Sequence, residues 1–120
     1  MVEDNAEVRV MGKTLLLDAG FAVHTAGDAD EALALVTAGL AFDLLFTDIV
    51  MPGELDGVGL AAEVARLRPG MPVLLTTGWA DRARDQADQH PDTELIAKPY
   101  RQTDLVRKIR HLLDRGAAVI

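Results

Sequence analysis

Short, continuous apolar runs constrain the fold of this chain more than any other sequence feature. Residues 44–47 read Leu-Leu-Phe-Thr and residues 73–77 read Val-Leu-Leu-Thr-Thr. A strand with one face in water alternates apolar and polar side chains, whereas a continuous run is typical of a strand covered on both faces of a parallel sheet. Stretches with helical spacing separate these runs, as in Ala29, Leu33 and Val36. This alternation predicts an open α/β sheet with helices on both faces.

The same periodicity places the individual elements. Helices are predicted at residues 6–19, 28–39, 60–67, 80–90 and 103–113. Thr103 is the expected N-cap of the last helix. Strands are predicted at residues 21–25, 44–47, 73–77 and 95–97. The helix at 80–90 has little apolar surface with which to anchor itself.

The first strand is expected to be truncated. Only Met1 and Val2 precede the acidic pair Glu3-Asp4, whereas a strand usually contributes about five residues. Either the natural chain starts earlier, or the sheet tolerates a short first strand.

The composition fits one domain and excludes several classes of function. A chain of 120 residues buries roughly two thirds of its unfolded surface on folding, so it needs no cross-link. Because cysteine and serine are absent, a disulfide scaffold, a thiolate metal site and a cysteine or serine nucleophile are excluded. The net charge of −7 and the scattered basic residues disfavour nucleic acid as a partner. No apolar run reaches the roughly 18 residues of a membrane span, so a cytoplasmic location is expected.

Polar residues end the predicted strands. Glu3-Asp4, Asp48, Thr77 and Lys98 each follow or close an apolar run. Ligands of open α/β sheets bind beyond the carboxyl ends of the strands, so these side chains are expected to converge. Converging carboxylates favour a hard divalent cation such as Mg²⁺. A carboxylate nucleophile, a metal, an ammonium and a hydroxyl together are typical of a phosphoryl-transfer site.

These residues carry a resemblance to the receiver domain of two-component response regulators. The matching pieces, in chain order, are Val2-Glu3-Asp4-Asn5, Thr47-Asp48-Ile49-Val50-Met51-Pro52 with Asp56-Gly57, Leu75-Thr76-Thr77-Gly78 and Ala97-Lys98-Pro99-Tyr100. Each piece is weak alone, but their order and spacing are specific, and they span nearly the whole chain. The resemblance implies a flavodoxin-like sheet of five parallel strands, order 2-1-3-4-5, with five helices. It also implies a receiver domain over residues 1–115, followed by a C-terminal tail at 116–120.

The resemblance implies a role for each site residue. Asp48 is the expected phosphoacceptor, which takes a phosphoryl group from a phosphohistidine. Lys98 is expected to pair with the phosphoryl oxygens, and Thr77 to turn its hydroxyl onto the new phosphoryl group. The expected Mg²⁺ ligands are Asp4, Asp48 and the backbone carbonyl of Val50, supported by Glu3.

The implied partner is a histidine kinase or a histidine phosphotransfer protein. The chain is expected to be a signalling domain and not an enzyme, although it would catalyse its own phosphorylation and dephosphorylation. Its loop at 51–57, one residue longer than the commonest version, is similar to receivers of hybrid sensor kinases. Leu95 stands where the family usually has an aromatic residue. Output is expected through protein contact, including a homodimer, on the face of the fourth helix, fifth strand and fifth helix.

Two other functions compete with this interpretation. A non-phosphorylated adaptor of the same fold would carry the same residues. A metal-dependent phosphatase with an aspartyl nucleophile is disfavoured, because enzymes of the haloacid dehalogenase type have a second Asp two residues after the first. Here that position is Val50.

Overall fold

A computed structural model describes residues 1–51, 53, 55–77, 93–98, 100–113 and 118–119. The predicted α/β class is confirmed, with parallel strands alternating with helices. The elements in chain order are α1 (Ala6–Asp18), β1 (Ala22–Val23), α2 (Ala29–Thr37), β2 (Leu45–Asp48), α3 (Gly57–Leu67), β3 (Val73–Thr77), β4 (Thr93–Ala97), α4 (Gln102–Leu112) and β5 (Ala118–Val119). The predicted helix at 80–90 lies outside the described residues, so the expected five helices are not confirmed.

Three strands form the long part of the sheet. β2, β3 and β4 lie side by side and parallel, with Asp48 opposite Thr76 and Thr77 opposite Ala97. The carboxyl ends of these strands therefore open onto one edge of the sheet, where the predicted site residues stand.

The other part of the sheet consists of short pieces. β1 and β5 pair in parallel over two residues. Val2 bridges Ala26 on one side and Thr47 on the other, and Val119 likewise bridges Leu44. Backbone bonds hold Val2 against β2, since its N–H donates to the Phe46 carbonyl at 2.8 Å and its own carbonyl accepts from the Asp48 N–H at 3.0 Å. The predicted truncated first strand is thus reduced to single bridges.

Two segments beside β2 differ most from their sequence-based prediction. The strand predicted at 21–25 extends only over Ala22–Val23, which pair with Ala118 and Val119 among the described residues. The segment 116–120 was predicted to be a tail, yet Ala118–Val119 pair with β1, since Val119 finds a fully buried apolar position there.

Each face of the sheet carries its own apolar core. Buried residues of α2 and α3, including Val36, Leu60 and Val64, pack on one face with Val73 and Leu75 of β3. The other face carries a second core from α1, α4 and the strands, whose buried members are Met1, Leu16, Phe21, Leu44, Phe46, Leu74, Ile96, Leu105, Ile109 and Val119. Because adjacent β3 residues face opposite cores, both faces are dry, as the continuous run predicts.

Side-chain caps begin three of the helices. The side chains of Asn5, Asp28 and Asp56 accept the N–H groups of Val8, Glu31 and Gly59, respectively. The prediction of Thr103 as the cap of the last helix is wrong. Arg101 occupies the N-cap of α4 without a side-chain bond, and the Gln102 side chain, which donates to the Leu15 carbonyl at 3.0 Å, ties the first turn to α1. None of the helices in the described ranges is long and apolar enough to cross a bilayer.

Candidate functional site

An ion-paired cluster lies at the carboxyl edge of the sheet. Lys98 Nζ contacts Glu3 Oε1 at 2.9 Å and Asp48 Oδ2 at 2.8 Å. The side chains of Glu3 and Asp48 are only 2% and 9% exposed, and that of Lys98 is 27% exposed. Residues far apart in the chain therefore meet as the sequence predicts, with one ammonium between two carboxylates.

The end of β2 holds Asp48 in place. Its backbone N–H donates to the Val2 carbonyl. The N–H of the next residue, Ile49, donates to the Thr76 carbonyl, and the Ile49 carbonyl accepts from the Gly57 N–H. Gly57 begins α3 directly against this turn, and a Cβ there would collide with the Asp48 carbonyl oxygen and come within 2.8 Å of Ile49 Cα. Glycine at position 57 thus allows α3 to pack on the backbone that carries Asp48.

Glu3 is held from two sides, but one of its oxygens has no partner. Its N–H donates to the Ala26 carbonyl at 3.0 Å, and its carbonyl accepts from the Arg9 guanidinium at 2.8 Å. Glu3 Oε2 is buried and has no hydrogen-bond partner among the described residues. A buried carboxylate oxygen without a partner is costly, and an added cation would satisfy it.

Asp4 completes an oxygen-rich set with Glu3 and Asp48. One carboxylate oxygen from each of the three lies within 4.8 Å of the others, and Asp4 is exposed at the mouth of the cluster. Hard cations such as Mg²⁺ take oxygen ligands of this kind. The donor set and the unpaired Glu3 oxygen both fit a divalent cation.

Burial and charge shift the titration of this cluster. Desolvation by burial, together with the neighbouring Asp48 carboxylate, raises the pKa of Glu3 to about 7, although Lys98 pulls it down. For Lys98, burial alone would lower the pKa, but the bonds to Asp48 and Glu3 outweigh it and raise the pKa. Near neutral pH the cluster therefore combines a charged lysine with a glutamate that is only partly ionised.

Tyr100 belongs to this neighbourhood, and the sequence assigned it no role. Its ring meets Phe46 edge-on, with centroids 5.7 Å apart and planes at 65°. Burial raises the pKa of its hydroxyl to about 12. The position of Tyr100 two residues after Lys98 was the only signal that could have indicated this placement, in which the ring packs against the core that contains Phe46.

The remaining predicted residues are placed less closely. The Val50 side chain is 65% exposed, just beyond Asp48. Thr77 ends β3 opposite Ala97, and its side chain lies outside the part of the molecule that the structure describes. Leu95 is half-buried and packs against the core shared with α2 and α3.

Comparisons with known proteins agree on one family. The family model of the response regulator receiver domain matches residues 1–110. The C4-dicarboxylate transport transcriptional regulatory protein DctD of Rhizobium meliloti (strain 1021) is 35% identical over 122 residues, covering all of this chain and 26% of that protein. The response regulator receiver protein CpdR of Brucella abortus (strain 2308) is 38% identical over 73 residues, 60% of each chain. The chain thus spans from about a quarter to three fifths of the length of these relatives.

Solved structures show the same likeness. A response regulator receiver protein from Sinorhizobium medicae superposes with a TM-score of 0.86 at 25% identity, covering 94% of this chain and 90% of that one. The response regulator protein TrrA from Thermotoga maritima, in complex with Mg²⁺ and BeF, superposes with a TM-score of 0.82 at 28% identity, covering 93% of this chain and 95% of that one. The flavodoxin-like receiver fold is therefore shared.

Proposed function

Because this chain belongs to the response regulator receiver domain family of two-component signalling, we propose that Asp48 is its phosphoacceptor. The main support for this proposal is the position of Lys98 Nζ between the carboxylates of Glu3 and Asp48, with Asp4 beside them. In the proposed step an Asp48 oxygen forms a bond to phosphorus as the bond from phosphorus to the partner's histidine nitrogen breaks. The product is an aspartyl phosphate on this chain and a free imidazole on the partner.

Charge neutralisation is the main task of the surrounding residues. A phosphoryl group approaching two buried carboxylates meets repulsion, so the site needs positive charge before transfer can occur. Lys98 supplies one such charge and would turn from the Asp48 oxygen towards the phosphoryl oxygens. Asp4, Asp48 and the Val50 carbonyl would hold Mg²⁺, with Glu3 in support, and the ion supplies further neutralisation. Thr77 would bond the new phosphoryl group with its hydroxyl.

The proposed partner is a histidine kinase or a histidine phosphotransfer protein in the cytoplasm. Relatives of this chain include the sensor kinase CckA of Brucella abortus (strain 2308), 28% identical over 117 residues, as well as transcriptional regulators. The proposed output is a protein contact on the face of the predicted fourth helix, fifth strand and fifth helix. The predicted fourth helix lies outside the described residues, and the other two elements correspond to β4 and α4. On these, Lys108 and His111 stand 3.8 Å and 3.6 Å from Glu94. A homodimer through this face belongs to the same proposal, and sedimentation with and without beryllofluoride tests it.

Intact-mass measurement with a small phosphodonor tests the acceptor. The protein is incubated with Mg²⁺ and acetyl phosphate, as wild type, Asp48→Asn and the control Asp30→Asn, whose exposed carboxylate lies in the first turn of α2. One added phosphoryl group, labile to hydroxylamine, is expected on the wild type and the control only. An unmodified wild type would support the adaptor function, and sustained hydrolysis of many phosphate esters would support the phosphatase.

A further inference from the structure

Thr47 is a buried polar residue directly before the proposed phosphoacceptor. It is 0% exposed. Thr47 pairs with Leu75 across the sheet, so its side chain points into the core shared with α2 and α3, on the face opposite to Asp48. A hydroxyl buried among apolar side chains is costly unless it is hydrogen-bonded. The contacts of this hydroxyl therefore indicate what Thr47 does.

The Thr47 hydroxyl lies against both ends of the segment 48–51. It donates to the Asp48 carbonyl, with Oγ1 at 3.0 Å from that oxygen, and Met51 Sδ stands 3.9 Å from the same Oγ1. The shorter contact is the hydrogen bond, and the sulfur is a weak second acceptor. One buried side chain thus contacts the first and the last residue of this segment.

The middle of the segment is held by backbone bonds. The Ile49 N–H donates to the Thr76 carbonyl at 3.0 Å, and the Ile49 carbonyl accepts from the Gly57 N–H at 2.8 Å. Val50 follows with a side chain that is 65% exposed. The backbone that leads to Val50 is therefore fixed from the core side, by the Thr47 hydroxyl at its ends and by Ile49 between them.

We propose that Thr47 is a positioning residue that orients the backbone of Asp48 and Val50 for Mg²⁺ binding. This inference rests on the proposed function, because it takes the Asp48 carboxylate and the Val50 carbonyl as ligands of the ion. Groups that hydrogen-bond to the ligands of a metal hold them in orientation, and their removal weakens metal binding. Thr47 acts in this way through the peptide unit that joins Asp48 to Ile49, and none of its atoms needs to touch the ion.

A residue that only fills space in the core would behave differently. Valine has nearly the volume of threonine and lacks the hydroxyl. If Thr47 only packs, Thr47→Val keeps the wild-type affinity for Mg²⁺. If the hydroxyl positions the segment 48–51, Thr47→Val loses affinity and Thr47→Ser, which keeps the hydroxyl, retains it.

Calorimetric titration of the full chain with Mg²⁺ tests the role of the hydroxyl. Thr47→Val is expected to bind Mg²⁺ about tenfold more weakly than the wild type, and Thr47→Ser close to the wild type. Phosphorylation by acetyl phosphate is expected to be slow in Thr47→Val at low Mg²⁺ and to reach the wild-type rate at saturating Mg²⁺. A lower rate at saturating Mg²⁺ together with unchanged affinity would overturn the proposal.

Thr76→Val is the matched control on the neighbouring strand. Thr76 lies opposite Asp48 and is 3% exposed, and its Oγ1 has no hydrogen-bond partner among the described residues. Its replacement by valine removes a buried hydroxyl that holds none of the residues 48–51, so the Mg²⁺ affinity is expected to stay at the wild-type value. Equal weakening in Thr47→Val and Thr76→Val would overturn the proposal, because loss of any buried hydroxyl nearby would then suffice.

The methyl signal of Met51 in the NMR spectrum of the metal-free protein tests the contact itself. It is expected to shift in Thr47→Val and not in Thr76→Val, whereas an unshifted signal in both would overturn the proposal. Failure of this inference and failure of the proposed function give different results. A wild type that binds Mg²⁺ and is phosphorylated, with equal affinity in Thr47→Val, overturns the positioning role alone. A wild type that takes up neither Mg²⁺ nor a phosphoryl group overturns both.

Discussion

The two halves of the sheet are built differently, although both consist of parallel strands. β2, β3 and β4 pair over four and five consecutive residues. The half around β1 is assembled from a two-residue pair and single bridges at Val2 and Val119. The first half is a continuous ladder, and the second half is pieced together from both ends of the chain.

The candidate site straddles the boundary between these halves. Asp48 ends β2 and Lys98 follows β4, so the proposed acceptor and its ammonium stand on the continuous half. Glu3 and Asp4 follow the single bridge of Val2. The difference indicates that the continuous half positions the proposed acceptor, while the proposed ligands Glu3 and Asp4 depend on a half with few strand pairs among the described residues.

The largest expected loss of stability comes from a substitution at Gly57, which packs against the end of β2 in the continuous half. In Gly57→Ala the added Cβ meets the Asp48 carbonyl oxygen and Ile49 Cα, and neither is a flexible side-chain end. Overpacking of this kind costs about 3 kcal/mol of unfolding free energy. Urea unfolding measures the loss, and phosphorylation by acetyl phosphate is expected to slow as Asp48 shifts.

Gly59→Ala is the matched control on the same helix. Its added Cβ comes closest to the Leu55 side chain, whose Cδ2 at 2.8 Å can rotate away, and it lies at an ordinary contact distance of 3.4 Å from Asp56 Oδ1. Alanine also favours the helix. We expect a change within about 0.5 kcal/mol. Equal losses in the two variants would mean that the contact between α3 and Asp48 is not what positions the acceptor.

The next largest effect is expected from removing the charge of Lys98, which pairs with Asp48 in the continuous half and with Glu3 in the other half. Lys98→Met leaves Glu3 and Asp48 facing each other in a largely buried cluster. Removing one partner of a buried ion pair is costly, and with partial exposure of the lysine we expect a loss of about 2 kcal/mol at pH 8. The loss shrinks at pH 5, where Glu3 takes up a proton.

Lys108→Met makes the same substitution at a looser pair. Lys108 lies 3.8 Å from Glu94, and both side chains are over a third exposed, so the expected change is within about 0.5 kcal/mol at either pH. If Lys98→Met and Lys108→Met lose the same free energy of unfolding, the ion pairs of Lys98 do not stabilise the contact between the two halves of the sheet.

The continuous half is also the part that the sequence predicts best. β3 covers Val73–Thr77, as the apolar run indicates, because burial on both faces leaves a strong local pattern. Asp48 and Lys98 meet because parallel strands open onto one edge, a rule that needs no knowledge of side-chain packing. Prediction succeeds where local pattern and topology decide the outcome.

The half of the sheet around β1 could not be predicted in the same way. The length of β1 depends on residues 118–119, almost a hundred positions away, and no local pattern reports such a partner. For the site, the sequence supplies Glu3 as a carboxylate, but its unpaired Oε2 and raised pKa follow from burial in the folded cluster. The start of α4 was missed for a similar reason, because Gln102 is fixed by the distant Leu15 carbonyl.

The pH dependence of the unfolding free energy tests the contribution of Glu3, which lies in the half of the sheet around β1. Its pKa of about 7 in the fold exceeds the model-peptide value of 4.5, so the folded state binds its proton more tightly, and the Glu3 contribution to stability falls as pH rises from about 4.5 to 7. Glu3→Gln removes this effect.

The difference in unfolding free energy between wild type and Glu3→Gln therefore isolates Glu3. Without divalent cations we expect the wild type to lose about 1 to 2 kcal/mol relative to the variant between pH 5 and pH 8. Urea unfolding at each pH measures it. A difference that is flat, or that grows in favour of the wild type with pH, would contradict the buried, proton-binding glutamate.

The smallest effect compares two helix caps, one in each half. Asn5 caps α1 directly after Asp4, accepting the Val8 N–H at 3.1 Å, and Asp56 caps α3, accepting the Gly59 N–H at 2.8 Å. Both are exposed, so Asn5→Ala and Asp56→Ala are each expected to cost about 1 kcal/mol. They should differ in Mg²⁺ affinity, measured by calorimetric titration. Asn5→Ala loosens the backbone of Asp4 and weakens binding severalfold, whereas β2 still holds Asp48 in Asp56→Ala. An equal loss of Mg²⁺ affinity in the two variants would show that the proposed metal site depends on both halves of the sheet to the same extent.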